Sequence, residues 1–352
     1  MATLGFGIIG CGNISAVHAQ ALEHIEGAKL VAVADVRQEN ADKMAGEYGA
    51  VAYTDYKAML EREDVHAVSL CVPSGMRVEI AADCAAAGKH ILSEKPLEVS
   101  TERIDQILEA TDKHQVYLGC IFQSRYSDDS QRIREALDAG RFGELVLGDA
   151  YIKWYRSPEY YASGAWRGTR KLDGGGCLMN QGIHQIDLLQ WFMGPVKTVQ
   201  AQTTRRLHKG LEVEDLATAM LEFQSGAFGV IEGSTAIWPG HPARIEVHGS
   251  EGSAVLEDGK LRQWQFSERQ EADSEVEAAL HEESALGSGA GDPLASLKIE
   301  GHLRNIRDFV QSIAQGKEPV LNGREGRHAV ELIEAIYQAA DTGKPVHINQ
   351  QW

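Results

Sequence analysis

Through the first third of the chain, short apolar runs alternate with segments whose apolar residues recur at helical spacing, and glycine or proline punctuates the joins. The runs Leu4 to Ile9, Lys29 to Ala34, Val51 to Tyr53, Ala67 to Pro73, Lys89 to Ser93 and Val116 to Phe122 read as strands. Between them, Asn40 to Tyr48, a stretch from Asp55, Arg77 to Ala87 and Thr101 to Lys113 read as helices. Strands that alternate with helices and are apolar throughout predict a doubly wound parallel sheet covered on both faces, an α/β domain ending near residue 122. From about Glu144 the pattern changes. Val146 to Lys153, Thr198 to Arg205, Ala217 to Phe223, Ala227 to Thr235 and Ala243 to His248 follow one another with few helices between, which predicts a mainly antiparallel sheet in an α+β domain spanning 123–352. Ser267 to Ser296 is acidic and rich in alanine and glycine, and reads as an exposed excursion. Two helices, near Leu303 to Ala314 and Glu325 to Ala340, close the chain.

Composition narrows the partners. With 352 residues, 43% hydrophobic and 24% charged, the chain is long enough for two cores. Its 34 basic and 51 acidic residues give a net charge of −17, a field that repels nucleic-acid backbones and anionic lipid. No apolar stretch approaches a membrane span, and the start lacks the pattern of a signal peptide. The five cysteines are scattered without a Cys-x-x-Cys pair, so neither a disulfide framework nor a zinc knuckle is expected, and a reducing, cytoplasmic setting fits.

The most informative chemistry lies in the join after the first strand. Gly10-Cys11-Gly12-Asn13-Ile14-Ser15 leads from an apolar strand into a helix, and the next strand ends about twenty residues later at Asp35. Gly10 permits a tight turn and Gly12 a close approach of backbone to a pyrophosphate, while the helix start offers unpaired N–H groups to the anion. Asn13 and Ile14 supply such groups. Asp35 is placed to accept from a ribose diol and would repel a 2′-phosphate, so NAD is preferred over NADP; Arg37 nearby moderates that preference. Ser15 occupies the place where a third glycine or alanine is usual. Pro73 and Ser74, following the fourth strand, fall on the same ligand-bearing edge of the sheet.

Glu94-Lys95-Pro96 follows the fifth strand, which makes Glu94 and Lys95 further candidates for lining the cofactor and delivers a lysine to that edge, where it can hold a substrate hydroxyl beside the nicotinamide. A second constellation is the glycine turn Gly174-Gly175-Gly176 feeding a helix that carries Asn180, His184 and Asp187 at spacings of four and three, predicted to share one helical face. Oxidising an alcohol requires removal of its proton, work suited to an imidazole, whose ordinary pKa is about 6.5. His184 is the expected base and Asp187 a structural partner. No third ligand suggests itself for a metal.

Taken together, Gly10-x-Gly12, His18, Asp35, Glu94-Lys95-Pro96, Trp166-Arg167 and the run from Gly174 to Asp187 resemble the glucose-fructose oxidoreductase, inositol dehydrogenase and rhizopine catabolism (Gfo/Idh/MocA) family across the whole chain. The resemblance implies a Rossmann domain followed by a substrate domain with a large open sheet, through which homodimers or homotetramers form. It makes Lys95 and His184 the catalytic pair and carbohydrate or cyclitol the small-molecule substrate. Where the family commonly has aspartate four residues before the histidine, this chain has Asn180, a pattern similar to enzymes oxidising the C3 hydroxyl of pyranosides. Asn180 is then expected to grip a substrate hydroxyl. Lys153, Arg156, Trp166 and Arg167 mix cations with aromatic faces and, with Gln123, are the further candidates for substrate binding. Two other readings remain: redox-neutral glycoside cleavage through transient oxidation at C3, and a non-catalytic dinucleotide sensor.

Overall fold

The computed structural model describes residues 3–280 and 299–350. In chain order, the first elements are β1 (Leu4–Ile9), α1 (Asn13–Glu23), β2 (Ala28–Ala34), α2 (Gln38–Tyr48), β3 (Val51–Tyr53) and α3 (Tyr56–Leu60). They are followed by β4 (Ala67–Leu70), α4 (Arg77–Ala86), β5 (His90–Ser93), α5 (Thr101–His114) and β6 (Leu118–Cys120). Next come α6 (Asp128–Asp138), β7 (Leu145–Lys153), α7 (Pro158–Ala162), α8 (Ile183–Met193), β8 (Val196–Thr204), β9 (Leu216–Phe223) and β10 (Phe228–Ser234). The remainder is β11 (Arg244–Gly249), β12 (Gly252–Glu257), β13 (Lys260–Phe266), α9 (Asp273–Ala279), α10 (Ile299–Gln315), α11 (Gly323–Thr342) and β14 (Val346–His347).

Strands β1 to β6 form one sheet in the order β3-β2-β1-β4-β5-β6, and every pairing in it is parallel. The order reverses at β1, so the turns after β1 and β4 flank the switch point where open α/β sheets bind ligands. This is the α/β fold expected. The second sheet has eight strands in the order β13-β12-β11-β7-β10-β9-β8-β14. It is antiparallel except where β7 meets β10. The hairpin strands β12 and β13 and the short β14 are additions to the expected pattern. In β12 buried and partly exposed positions alternate, and in β13 a register shift breaks the alternation at Arg262 and Gln263, so neither strand carries a continuous apolar signal.

The chain divides into two units, Met1–Gln123 with Lys298–Val330, and Ser124–Leu297 with Glu331–Trp352. The first boundary falls one residue past the expected 122, but α10 and the start of α11 return to the parallel-sheet unit, whereas the sequence reading left everything from 123 onward in the second domain. The reason is burial. Leu303, Ile306, Phe309 and Val310 of α10 join Phe6, Ile8, Leu22, Leu92 and Ile121 in one apolar cluster, and the Phe6 and Phe309 rings meet edge to face at 6.3 Å. An amphipathic helix carries no mark of which sheet it will cover.

The expected excursion from Ser267 is only partly one. Within it α9 is anchored by Asp273, which is buried, accepts from both terminal guanidinium nitrogens of Arg141 at 2.9 and 2.7 Å and from the Trp264 indole at 2.8 Å. Residues 281–296 of that stretch lie outside the described residues. No helix among the described residues is long and apolar enough to cross a membrane.

Phe309→Ala removes a fully buried ring from the first core and is expected to cost about 3–5 kcal/mol, read as a lower midpoint in urea unfolding followed by circular dichroism.

Candidate active site

The glycine turn is built for an anion. Gly10 has φ +93°, and a Cβ there would stand 2.8 Å from the Cys71 carbonyl oxygen, so a side chain is excluded twice over. A Cβ on Gly12 would meet nothing within 4 Å, leaving open space over the start of α1, whose first amides receive no side-chain cap. Asn13 and Ile14 open that helix. Ser15, polar at a packing position, is fully buried because its hydroxyl donates to the Gly12 carbonyl at 2.5 Å.

Asp35 braces the same turn. One carboxylate oxygen accepts from the Cys11 amide at 2.8 Å and the other from the Arg37 amide at 2.9 Å. The Arg37 guanidinium stands 3.9 Å away and is otherwise exposed. Burial, with Asp35 adding to it, pushes the Cys11 thiol up to about 12, so no thiolate competes with a bound anion. Pro73 caps a short 3₁₀ turn after β4 in which Ser74 is buried.

The Glu94-Lys95-Pro96 turn is held from several sides. The buried Glu94 carboxylate accepts at one oxygen from Nε2 of His18 at 3.0 Å and of His302 at 3.3 Å, and at the other from the Lys95 amide at 3.1 Å. The buried Arg77 guanidinium donates to the carbonyls of Glu94, Pro96 and Val72, and the Lys95–Pro96 peptide is cis. Hydrogen bonds from the two imidazoles outweigh the desolvation of Glu94 and hold its carboxyl well below the usual range. Desolvation dominates at His18 and pushes its imidazole down, so it stays neutral. His18, Glu94 and His302 also form a group tight enough for a metal ion. Both histidines, however, aim Nε2 at the same carboxylate oxygen and leave Nδ1 without a hydrogen-bond partner, while a metal-bound imidazole normally has one there. A doubly hydrogen-bonded carboxylate accounts for the geometry. Sequence reading missed His302, since nothing near it in the chain marks it.

In the second unit, the segment leading into α8 is wound as a π-helix from Cys177 to Gly182. Asn180 therefore sits in a wider turn than His184, which occupies the first turn of α8, so the single α-helical face expected for Asn180, His184 and Asp187 is interrupted between the first two. Glu214 seats the glycine turn. Its buried carboxylate accepts from the amides of Gly176 and Leu178 and from the Tyr337 hydroxyl, each at 3.0 Å, and burial pushes its pKa up. A Cβ on Gly176 would collide with the Glu214 carbonyl oxygen at 1.7 Å.

Asp187, expected to orient His184 or hold a loop, is buried and takes a two-pronged bond from Arg125 at 2.9 and 2.6 Å. Asn180 lies in a polar cluster. Its amide nitrogen donates to Asp173, and its oxygen accepts from Gln181 at 2.8 Å. Gln181 in turn accepts from Arg156 Nε at 2.8 Å and donates to the Tyr160 hydroxyl at 2.8 Å. Arg167 also donates to Tyr160, at 2.6 Å, and lies over the Tyr160 and Trp166 rings at 4.4 and 4.5 Å. The structure thus brings together Asn180, Arg156, Trp166 and Arg167, though Arg156 is buried. Lys153 is not among them. Ile152 faces the π-helix, and Lys153, next along β7, points to the opposite, open face and pairs there with Glu232 at 2.9 Å. Gln123 belongs to the first unit, against Gly301. Asp173, Tyr160 and Gln181 were missed as site residues. Asp173 had one visible signal, a lone acid directly before three glycines.

A parallel sheet whose first glycine turn opens on an uncapped helix, with a carboxylate closing the second strand, defines an NAD-binding oxidoreductase. Residues 4–122 match the model described as the oxidoreductase family with NAD-binding Rossmann fold, and residues 130–255 match the GFO/IDH/MocA C-terminal domain. The chain belongs to the GFO/IDH/MocA oxidoreductase family. It is similar to the myo-inositol 2-dehydrogenase of Thermotoga maritima, at 28% identity with 98% of each chain covered. It is also similar to the D-glucoside 3-dehydrogenase of Escherichia coli, at 25% identity over 97% of this chain and 96% of that one. Among solved structures, the WlbA dehydrogenase of Bordetella pertussis in complex with NADH and UDP-GlcNAcA superposes with a TM-score of 0.89 at 29% identity, covering 100% of this chain and 99% of the other.

The buried ionic cluster predicts acid sensitivity. Below about pH 6.5 the unfolded chain protonates His18 while the folded one resists, and further down the same holds for Glu94. Both shifts make the unfolded state bind more protons, so stability falls as pH falls, with a limiting slope of about 1.4 kcal/mol per pH unit for each group. Urea titrations at pH 7.5, 6 and 5 are expected to show this decline, and His18→Gln to flatten it between pH 7 and 5.

Proposed function

We propose that this protein oxidises a ring hydroxyl of a sugar, glycoside, sugar nucleotide or cyclitol, at C3 of a pyranose, with NAD as cofactor. The observation that carries the reading is the anchored Glu94-Lys95-Pro96 turn. It follows β5, on the same carboxyl edge of an all-parallel sheet as the glycine turn after β1. Three groups from distant parts of the unit, His18, Arg77 and His302, together with Glu94 itself, fix the backbone beside one lysine, support that a surface lysine does not need. The cradle suits NAD: the amides of Gly12, Asn13 and Ile14 would take the pyrophosphate and Asp35 the ribose diol, with Arg37, Pro73 and Ser74 flanking. When bound, the nicotinamide supplies the hydride acceptor.

The roles of the chain's own residues follow. Lys95 holds the reacting hydroxyl, and its ammonium favours the developing alkoxide. His184 removes the hydroxyl proton. Asn180 binds a neighbouring hydroxyl, Trp166 offers a ring to the sugar face, and Arg167 is the cation available to a substrate carboxylate or phosphate. The names of the relatives, an inositol 2-dehydrogenase, a glucoside 3-dehydrogenase and a WlbA enzyme solved with UDP-GlcNAcA, support cyclic polyols and pyranosides as the substrate class.

Incubation with NAD and a panel of myo-inositol, methyl β-D-glucopyranoside, levoglucosan and a UDP-linked hexuronate is expected to yield NADH with at least one of them. Lys95→Ala and His184→Ala should each lower kcat by about 100-fold or more. Glycoside cleavage without NADH would favour the redox-neutral chemistry instead, and undiminished activity in both variants would remove these residues from the mechanism.

We further propose that the open face of the eight-stranded sheet is a contact between copies of this chain. Exposed Leu147, Met220 and Phe228 lie close together on neighbouring strands, with Phe228 opposite Leu147 and Met220 opposite Val230. Phe228→Asp is expected to lower the molecular mass seen in sedimentation equilibrium while leaving the far-ultraviolet dichroism unchanged.

A further inference from the structure

An amide side chain can be turned end for end at little cost in shape, so an asparagine that reads a hydroxyl is specific only if something decides which end is which. Here the deciding groups stand at the two ends of a short chain of hydrogen bonds. At one end Asp173, buried and itself accepting from the Gly168 amide at 2.7 Å, faces the Asn180 amide nitrogen. At the other end Arg156, buried, with Nη1 donating to the Tyr155 carbonyl at 2.8 Å, faces the Gln181 oxygen. A carboxylate accepts and a guanidinium donates. Asn180 must then turn its nitrogen to Asp173 and its oxygen to Gln181, and Gln181 its nitrogen to Asn180 and its oxygen to Arg156. Reversing either amide would set acceptor against acceptor or donor against donor in a buried cluster, where an unmade hydrogen bond is costly.

We propose that Asp173 is a positioning residue for substrate selection: with Arg156 it locks the amides of Asn180 and Gln181 in one orientation, so that Asn180 presents a set pattern of donor and acceptor to the hydroxyl next to the one oxidised. The proposal deepens the function given above and rests on Asn180 touching substrate. The carboxylate thus acts from seven residues earlier in sequence, across the glycine turn, through the asparagine.

Two measurements test it. The first needs no substrate: in proton–nitrogen correlation spectra of the NAD-loaded protein, the Asn180 side-chain amide, assigned by its loss in Asn180→Ala, is expected to show one strongly downfield proton that moves upfield in Asp173→Asn. An unmoved signal overturns the lock. The second is kinetic, on the panel sugar with the highest activity and its deoxy analogue at the neighbouring carbon. Asp173→Asn is expected to lower kcat/KM about tenfold or more, mainly through KM, and to shrink the preference for the hydroxylated sugar. The exchanged pair Asp173→Asn with Asn180→Asp keeps a carboxylate against an amide and should recover part of that preference. Equal losses on both sugars, with no recovery in the exchanged pair, would leave Asp173 a structural residue and overturn the proposal. Preference retained in Asn180→Ala would instead remove Asn180 from the substrate, a failure of the underlying functional reading that the spectra separate from failure of the lock.

Discussion

A carboxylate taken out of water must find donors, and in this protein the buried Glu94 finds three: the imidazoles of His18 and His302 and the amide of Lys95. That requirement ties the helix after the first strand, the turn after the fifth and the helix that returns from the far end of the chain to a single oxygen pair. Arg77 adds a second buried tether to the carbonyls on either side of the lysine. The backbone that carries Lys95 is therefore set by charge satisfaction in the interior of the unit, and the lysine inherits its place from buried groups. Removing any one donor would leave a buried charge underpaired, so the cluster fixes the turn only as a complete set.

The second unit follows the same logic with different parts. Glu214 seats the glycine turn and the first π-helical amides, Asp187 is clamped by Arg125, and Asp173 faces Asn180. In each case a buried carboxylate gathers donors, backbone amides, a guanidinium or a side-chain amide, around the helix that bears His184. The π-helix itself opens the winding just before that helix, a local departure of the kind that accumulates at functional sites. The candidate residues Lys95, Asn180 and His184 are half-exposed side chains on backbone that buried polar groups hold in place.

The exposed partners were legible in the chain and the supports were not. Gly10, Gly12 and Asp35 announce themselves because a phosphate-binding turn demands small residues and a carboxylate at set distances along a strand-turn-helix unit. Lys95 and His184 stand beside proline and glycine signals that mark turns. His302, Arg125 and Asp173 lie where only folding brings them to their partners, and their residue types occur across any soluble protein's surface; Arg156 was singled out as a cation for substrate, but its bond to Gln181 was not legible. Lys153 shows the converse: beside aromatic residues in sequence it looked like part of the site, yet strand alternation turns it to the opposite face of the sheet.

Local periodicity determined the parallel sheet, its glycine turn and the switch to antiparallel strands, since burial on two faces or one writes itself into adjacent residues. It did not determine which core α10 joins. An amphipathic stripe specifies that a helix will be buried but not against what, and the choice was made by the complementary apolar surface of Phe6, Leu92 and Ile121, together with the unmet demand of a carboxylate for one more donor. The chain alone thus settled the class of cofactor and the kind of chemistry. Three-dimensional packing decided which buried residues hold the candidate turn and helix in place, because those contacts join positions as much as two hundred residues apart.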